Sequence, residues 1–227
     1  MIKIVTACND SEAFGELSEI CKFTIKRYCR RHGLGYSFYR ITEKDRPPAW
    51  YKISLLQKEF ERKNTHYCLW MDADSLIYNP DFDIHSVLKP GKEVYLSRDR
   101  NGINAGVMLW KNSLPNARLL RKIWRSTRFL HHRWWEQKAL MELVKVDFGG
   151  IRERLEILPQ KLFNAYDYSL YQKVHPPGQM DADSFVIHFP GLAHDIRKQQ
   201  MEKYLREAWH PTACQLAFSR MRERFRK

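Results

Sequence analysis

The chain has 227 residues, of which 44% are hydrophobic and 13% aromatic, enough to bury the core of one large domain. That composition excludes a disordered or fibrous protein. The 39 lysines and arginines outnumber the 26 aspartates and glutamates, and the net charge of +13 favours anionic partners: nucleotides, nucleic acid, acidic glycans or a membrane surface.

The cysteines and the apolar runs bear on the cellular compartment. The five cysteines are odd in number and contain no C-x-x-C pair, so we predict neither a disulfide framework nor a zinc site. No apolar run approaches the length of a membrane span, and Met1 leads directly into a strand-like segment rather than a signal peptide. These features predict free thiols in a cytoplasmic protein.

The first unit is a predicted strand over residues 2–5, a polar turn over 6–11, and a helix that ends at Gly33. The turn contains neither G-x-G-x-x-G nor G-x-x-x-x-G-K-[ST], which excludes the usual dinucleotide site and P-loop. It is either a plain strand-to-helix connection or a nucleoside contact. The candidates for that contact are Thr6, Ala7 and Asn9.

A second strand is predicted over residues 36–41, and two prolines separate it from a helix over residues 49–62. Lys52 lies in the first turn of this helix, where the helix dipole favours an acid. It is therefore a candidate for binding an anion, with a solvated surface lysine as the alternative.

The most informative stretch is Cys68 to Met71, an apolar strand that ends in Asp72-Ala73-Asp74 before another apolar run begins. Side chains at the carboxyl end of a strand in an open α/β sheet face the ligand crevice. Two carboxylates placed there are suited to Mg²⁺ or Mn²⁺ holding a diphosphate. Helix capping or ion pairing is the alternative. The copy at residues 180–184 follows a Pro-Pro-Gly loop and is the weaker candidate.

Two further segments carry candidate sugar contacts. Asn104 and Gly106 precede a predicted apolar strand, where a glycine lets the backbone approach a sugar closely. A basic helix over residues 113–126 follows. The next helix begins at Glu136-Gln137, either as a dipole-compatible first turn or as part of a site, and its neighbouring aromatic rings are suited to stacking on sugars.

Near the C-terminus, residues 155–160 predict an edge strand, and residues 184–188 predict a strand that ends in His188. This histidine is either structural or the third ligand of a site with two carboxylates, which Mn²⁺ accepts. From Asp195 the chain is basic and predicted to be helical. Its apolar stripes dock on the core or on an anionic membrane surface.

In this order, the motifs resemble the family of fungal α-galactosyl- and α-mannosyltransferases and plant xyloglucan α-xylosyltransferases. The resemblance extends to about residue 195. The segments that carry it are residues 28–33, Trp50-x-Lys52, residues 69–77, Asn104-x-Gly106, residues 135–140, Pro159-Gln160 with Asn164-x-Tyr166, and residues 185–191. It implies an α/β protein with the GT-A nucleotide-sugar transferase fold, Mn²⁺ dependence and retention at the anomeric carbon. We expect one mixed, mostly parallel sheet flanked by helices over residues 1–194, and a helical extension over residues 195–227.

The resemblance also implies roles for single residues. Asp72, Asp74 and His188 become the metal ligands, and Glu136 and Gln137 lie by the reacting sugar. The implied nucleotide-sugar contacts include Lys52, Asp72, Ala73, Asn104, Gly106 and Gly191. Relatives continue after the His-Phe-x-Gly segment with Cys and a Lys that meets the diphosphate, whereas this chain has Leu192-Ala193. The candidates to replace that lysine are His194, Arg197 and Lys198.

We therefore expect transfer of a hexose or pentose from a UDP- or GDP-sugar to a glycan or other hydroxyl acceptor, with Mn²⁺ or Mg²⁺ stabilising the departing diphosphate. A haloacid-dehalogenase-type phosphatase is one alternative, but it would carry its Asp-x-Asp in the first strand. A nucleic-acid-binding protein is the other; the basic residues are spread along the chain without a recognised motif, so we expect no nucleic-acid partner. We predict a cytoplasmic enzyme, with peripheral membrane contact through the basic C-terminal helices as an option.

Overall fold

A computed structural model describes residues 1–9 and 11–209 of the chain. The strands in chain order are β1 Ile2–Asn9, β2 Gly35–Ile41, β3 Tyr67–Met71, β4 Ser75–Ile77, β5 Val94–Asp99, β6 Gly102–Lys111, β7 Leu155–Leu158 and β8 Val186–His188. The α-helices are α1 Glu12–His32, α2 Tyr51–Phe60, α3 Leu114–Trp124, α4 Trp135–Lys145, α5 Ile151–Arg154, α6 Gln160–Phe163 and α7 His194–Ala208.

Six strands form the central sheet in the order β2-β1-β3-β6-β5-β7. The pairings β1 with β2, β1 with β3 and β5 with β7 are parallel, whereas β6 runs antiparallel to both neighbours. This confirms the predicted mixed, mostly parallel sheet and places β7 at its edge. The prediction of one sheet was incomplete, because β4 and β8 form a separate antiparallel pair. That small pair is what brings His188 toward Asp74.

The central sheet separates two apolar clusters. One lies between the sheet, α1, the β4–β8 pair and α7, and contains Leu17, Ile20 and Phe185. The other lies under α2, α3 and α4, and includes the fully buried Trp110. Each fully buried leucine or isoleucine contributes roughly 1.5–3 kcal/mol relative to exposure, so both faces of the sheet are well anchored.

Helix α1 has the boundaries that its sequence predicts. The hydroxyl of Ser11 accepts a hydrogen bond from the amide of Phe14 at 3.4 Å, which caps the first turn. Gly33 ends the helix in the left-handed conformation with φ of 64°, where glycine has no steric penalty. The turn before this helix therefore keeps β1 and α1 in the predicted strand-turn-helix arrangement.

The C-terminal region is described as far as Trp209. Helix α7 buries Met201, Tyr204 and Leu205 against the first apolar cluster. The second predicted stripe, between Leu216 and Phe225, lies outside the described residues, so the proposed membrane contact and the division at residue 194 stay predictions. Among the helices that the structure describes, none is long and apolar enough to cross a membrane.

Candidate active site

A cavity of about 770 Å³ opens along the carboxyl ends of β1, β3 and β5 and the start of β6. This is the edge where open α/β sheets bind ligands. The predicted site residues that line it are Ala7, Asn9, Lys52, Asp72, Ala73, Asp74, Asn104, Gly106, Glu136, Gln137, His188, Gly191 and Arg197. Most of the candidates, which are scattered over the sequence, therefore share one cleft.

Asp72, Asp74 and His188 form a candidate metal centre. One ligand atom from each residue lies within 4.8 Å of the other two, close to the roughly 4 Å between opposite ligands of a small divalent ion. Two backbone pairings hold them in place. The Asp72 amide donates to the Gly106 carbonyl at 2.8 Å, and Ser75, directly after the motif, pairs with His188 between β4 and β8. Two carboxylates and an imidazole fit Mn²⁺ or Mg²⁺.

A buried amide network sets the orientation of His188. The backbone N–H of Gly106 donates to Asn104 Oδ1 at 2.8 Å, so this atom is an acceptor, and it also accepts from Asn164 Nδ2 at 2.8 Å. Asn164 Oδ1 therefore faces His188 Nδ1, 3.0 Å away, which must carry the hydrogen. The Nε2 atom, 3.2 Å from Asp74 Oδ1, is left toward the carboxylates with its lone pair available when the ring is neutral.

Lys52 is buried between two carboxylates. Its ammonium lies 2.9 Å from Asp72 Oδ1 and 3.1 Å from Glu136 Oε1, and it donates to the Ala105 carbonyl at 3.1 Å. Burial alone would lower the pKa of Lys52, but the charges of Asp72 and Glu136 raise it above its ordinary value. The alternative of a solvated surface lysine is wrong. The anions that Lys52 contacts here belong to the protein itself.

Among the described residues that line the cleft, two have a buried polar side-chain atom without a hydrogen-bond partner, Glu136 and Arg197. The Glu136 side chain is 4% exposed, and Oε2 is buried without a hydrogen-bond partner among the described residues. Burial raises the pKa of Glu136, and the charge of Asp72 adds to that effect, against the opposing pull of Lys52. Gln137 Oε1 accepts the amide of Ala105 at 3.0 Å and so ties this helix start to β6. Glu136 lines the cleft, and rotation of its carboxyl group would turn this unpaired acceptor toward a substrate hydroxyl.

The three candidates to replace the family's phosphate-contacting lysine lie on different faces of α7, with Arg197 on one face and His194 and Lys198 on the other. Arg197 Nη1 is 3.2 Å from Asp74 Oδ2. Lys198 Nζ and His194 Nε2 instead lie 2.9 Å and 3.3 Å from Glu16 Oε2. Burial raises the pKa of Asp74, but His188 and Arg197 together hold it below its ordinary value. Arg197 is therefore the basic residue beside the Asp-x-Asp segment.

Two of the predicted nucleotide-sugar contacts, Thr6 and Lys198, lie away from the cleft. Two others, Asn104 and Gly106, line it but occupy a different place in the strand from the one predicted. Thr6 is fully buried, with its hydroxyl 3.9 Å from Cys21 Sγ, and Lys198 is occupied by Glu16, so neither lines the cleft. Asn104 and Gly106 lie inside β6 rather than before it. In this position, a Cβ on residue 106 would come within 2.1 Å of His188 Cε1, so the glycine admits the imidazole.

The sequence did not single out the wall of the cleft opposite β1. Tyr166 donates to Asp99 Oδ2 at 3.1 Å, and the side chain of Asn104 donates to both of them. Tyr168 and Tyr171 extend this wall. Their only signal was the Asn164-x-Tyr166 segment of the resemblance, which carried no assigned role.

Residues 2–92 and 89–195 match the galactosyl transferase GMA12/MNN10 family. The chain belongs to this family. It is 26% identical to the alpha-1,2-galactosyltransferase of Schizosaccharomyces pombe, with 81% of this chain and 58% of the relative aligned. It is 25% identical to "Probable alpha-1,6-mannosyltransferase MNN10" of Saccharomyces cerevisiae, with 62% and 46% aligned. The chain thus spans about half the length of the curated relatives it matches.

Solved glycosyltransferases share the fold of this family member. The glycosyltransferase involved in the glycosylation of the major capsid of PBCV-1 superposes with a TM-score of 0.70 at 20% identity, covering 89% of this chain and 98% of that one. The galactosyltransferase LgtC, solved with donor and acceptor sugar analogues, superposes with a TM-score of 0.53 at 14% identity, covering 91% and 96%. The predicted GT-A fold and the predicted family are both confirmed.

Proposed function

We propose that the chain is a metal-dependent glycosyltransferase that moves a hexose or pentose from a UDP- or GDP-sugar to a hydroxyl of a glycan, with retention at the anomeric carbon. The observation that carries the proposal is the convergence of Asp72, Asp74 and His188 at the carboxyl edge of a GT-A sheet. Membership of a galactosyl transferase family supports glycosyl transfer. Neither the phosphatase nor the nucleic-acid alternative gains support.

The metal centre would serve the leaving group. Asp72, Asp74 and His188 would hold Mn²⁺ or Mg²⁺, which supplies positive charge for the diphosphate oxygens. Arg197, 3.2 Å from Asp74, adds positive charge to the same field, as does Lys52, 2.9 Å from Asp72. Because these groups are already fixed by hydrogen bonds, they need little reorganisation when negative charge develops.

Other residues would position the two sugars. Asn9 and Ala7 line the cleft at the end of β1 and would contact the nucleoside there. Glu136, with its unpaired Oε2, and Gln137 lie at the start of α4 across from the metal centre, linked to it through Lys52. Glu136 would accept a hydrogen bond from a sugar hydroxyl, which orients the donor or the acceptor.

The test is a calorimetric titration of UDP and of GDP into the protein, first with Mn²⁺ and then with EDTA. We expect one nucleotide to bind only with the metal. Asp74→Ala should abolish this binding, because it removes one ligand and leaves Arg197 unpaired. The matched control is Asp183→Ala, since residues 180–184 repeat the sequence of residues 71–75 and Asp183 is exposed in a loop.

Each outcome decides the proposal. Metal-dependent binding that is lost in Asp74→Ala and kept in Asp183→Ala supports the assignment and selects the nucleotide of the donor. Binding that is unchanged by EDTA or by Asp74→Ala contradicts the metal centre. The absence of binding for both nucleotides contradicts the transferase itself.

A further inference from the structure

We propose that the end of the cleft farthest from β1 is an acceptor subsite for a glycan that carries an anionic group, a carboxylate or a phosphate ester. The acceptor subsite is formed by Arg100, Arg133, Trp134 and Trp135, all of which line the cleft. This inference rests on the proposed function, because it names the acceptor class of the same transferase.

The sheet order places this subsite beyond the reacting sugar. Asp72 follows the central β3; β1 lies on one side of it, and β6 and then β5 lie on the other. Neighbouring strands are about 4.8 Å apart, so the β5–β6 turn with Arg100 lies roughly two strand spacings from β3. If the nucleoside lies by β1 and the diphosphate by Asp72, the acceptor enters from the side of Arg100.

Residues 133–135 reach the same end through α4. Trp135 directly precedes Glu136, whose unpaired Oε2 is the candidate contact for a sugar hydroxyl. Trp135 is 43% exposed, and its backbone has a positive φ of 37°, which is costly for a bulky residue. Such strained residues cluster at functional sites. An exposed indole beside a reacting centre is suited to stacking on the face of an acceptor sugar.

The charges of the cleft select an anionic acceptor. Its carboxylates are already engaged within the protein: Asp72 and Glu136 by Lys52, Asp74 by Arg197, and Asp99 by Asn104 and Tyr166. Lys52 and Arg197 offset two of these four carboxylate charges, and a divalent metal bound at Asp72 and Asp74 would offset the other two, so the loaded cleft would hold little negative charge for a cationic ligand.

The two arginines of the acceptor subsite, unlike most carboxylates of the cleft, have no partner of opposite charge among the described residues. Arg100 donates only to the Lys173 carbonyl at 3.4 Å, and the guanidinium of Arg133 lies 5.2 Å from the ring centre of Trp134. Neither has a carboxylate partner among residues 1–9 and 11–209. A chain with a net charge of +13 necessarily exposes unpaired cations, but these two line the same cleft as the indoles of Trp134 and Trp135. Guanidinium groups match carboxylates and phosphates in geometry, so they would bind that group of the acceptor.

The test measures oligosaccharide binding with Mn²⁺ and a saturating concentration of the nucleotide, UDP or GDP, that calorimetry selects. The probes are tetragalacturonate for the carboxylate, a phosphorylated mannose oligosaccharide for the phosphate, and maltotetraose as the neutral control. We expect at least one anionic probe to bind about tenfold more tightly than maltotetraose. Arg100→Gln and Arg133→Gln should each weaken that probe about tenfold. Arg118→Gln, which removes the same charge from an exposed position on α3 outside the cleft, should not.

Trp135→Gly separates a binding role from a structural one. Glycine adopts positive φ without strain, so this variant should keep or raise the melting temperature while it loses oligosaccharide binding. A lowered melting temperature with unchanged binding contradicts the stacking role.

The binding results decide the anionic class. Preference for either anionic probe, lost in both arginine variants, supports the inference and tells carboxylate from phosphate. Equal binding of neutral and anionic probes, no binding of any probe, or an equal loss in Arg118→Gln overturns it. Binding of the selected nucleotide, measured in the same samples, distinguishes these failures from a failure of the transferase proposal.

Discussion

Helix α2 buries two charged side chains, Lys52 in its first turn and Glu59 in its last turn, and they belong to different clusters. Seven residues are about two helical turns, so both side chains lie on the same face. Glu59 points to the start of β1, where Lys3 Nζ lies 3.0 Å and Arg62 Nε 3.3 Å from its Oε2, and Tyr39 donates to Oε1. Both of its oxygens have partners.

Lys52 faces the opposite edge of the sheet and forms an open cluster, in which one carboxylate oxygen has no partner. It is shared by Asp72 and Glu136, and Glu136 Oε2 has no partner in the part of the chain that the structure describes. The two clusters use the same chemistry on the same helix. The candidate site differs from the structural ion pair in one respect: it has a hydrogen-bond acceptor without a partner, and this acceptor lies at the carboxyl edge of the sheet, beside the cleft.

The largest expected effect comes from removing the shared cation. Lys52→Met leaves two neighbouring carboxylates without their charge partner, and we expect a loss of about 4 kcal/mol in the free energy of unfolding. Adding Glu136→Gln should restore part of it, because one buried charge is gone. Urea denaturation measures both. A loss below about 1 kcal/mol would show that water reaches the cluster.

The closed cluster should give a smaller effect with a distinct pH signature. Glu59→Gln should cost roughly 2 kcal/mol at neutral pH, because it weakens hydrogen bonds to a charged group. Burial raises the pKa of Glu59, but bonds from Tyr39 and Ser37 and the ammonium of Lys3 hold it below its ordinary value of 4.5.

The sign of that pKa shift predicts the pH dependence. A lowered folded pKa gives stability that is present above the unfolded value and lost as pH falls through the folded value. Between about pH 5 and pH 3, melting temperatures of the natural protein should therefore fall more steeply than those of Glu59→Gln. Parallel curves would contradict the role of Glu59.

We expect a smaller effect, on Mn²⁺ affinity, from a substitution at Gly106, whose backbone lies against the imidazole of His188. Gly106→Ala places a Cβ within 2.1 Å of His188 Cε1, so the ring must move, and Mn²⁺ affinity should fall about 10- to 100-fold. Gly15→Ala is the control: nothing lies within 4 Å of its Cβ in α1, and helix propensity predicts a gain of up to about 1 kcal/mol. Calorimetry with Mn²⁺ should separate them, and equal affinities would exclude a tight fit at His188.

Local patterns predicted much of this molecule. The strand before Asp72, the start of α1 after the polar turn and its end at Gly33 all follow from contacts within a few residues, and all three have the predicted form. The resemblance, which combines many such segments, predicted the family and the GT-A fold.

Contacts between distant segments could not be predicted from local sequence patterns. Whether Arg197 or Lys198 faces the Asp-x-Asp segment depends on the rotation of α7, since successive helical residues point about 100° apart. Lys52 was predicted to bind an anion, but the identity of its partners, Asp72 and Glu136, depends on how distant segments pack together. The amide network that orients His188 combines β6, β8 and the loop of Asn164, which no single window of sequence contains.

The most direct test compares donor turnover in Glu136→Gln and Glu59→Gln, measured as nucleotide release from the UDP- or GDP-sugar that calorimetry selects. Both variants remove one buried carboxylate with almost no change in shape. We predict that Glu136→Gln loses about 100-fold in turnover and that Glu59→Gln keeps it while it remains folded. Full turnover in Glu136→Gln, or an equal loss in both, would contradict the assignment of the open cluster to function.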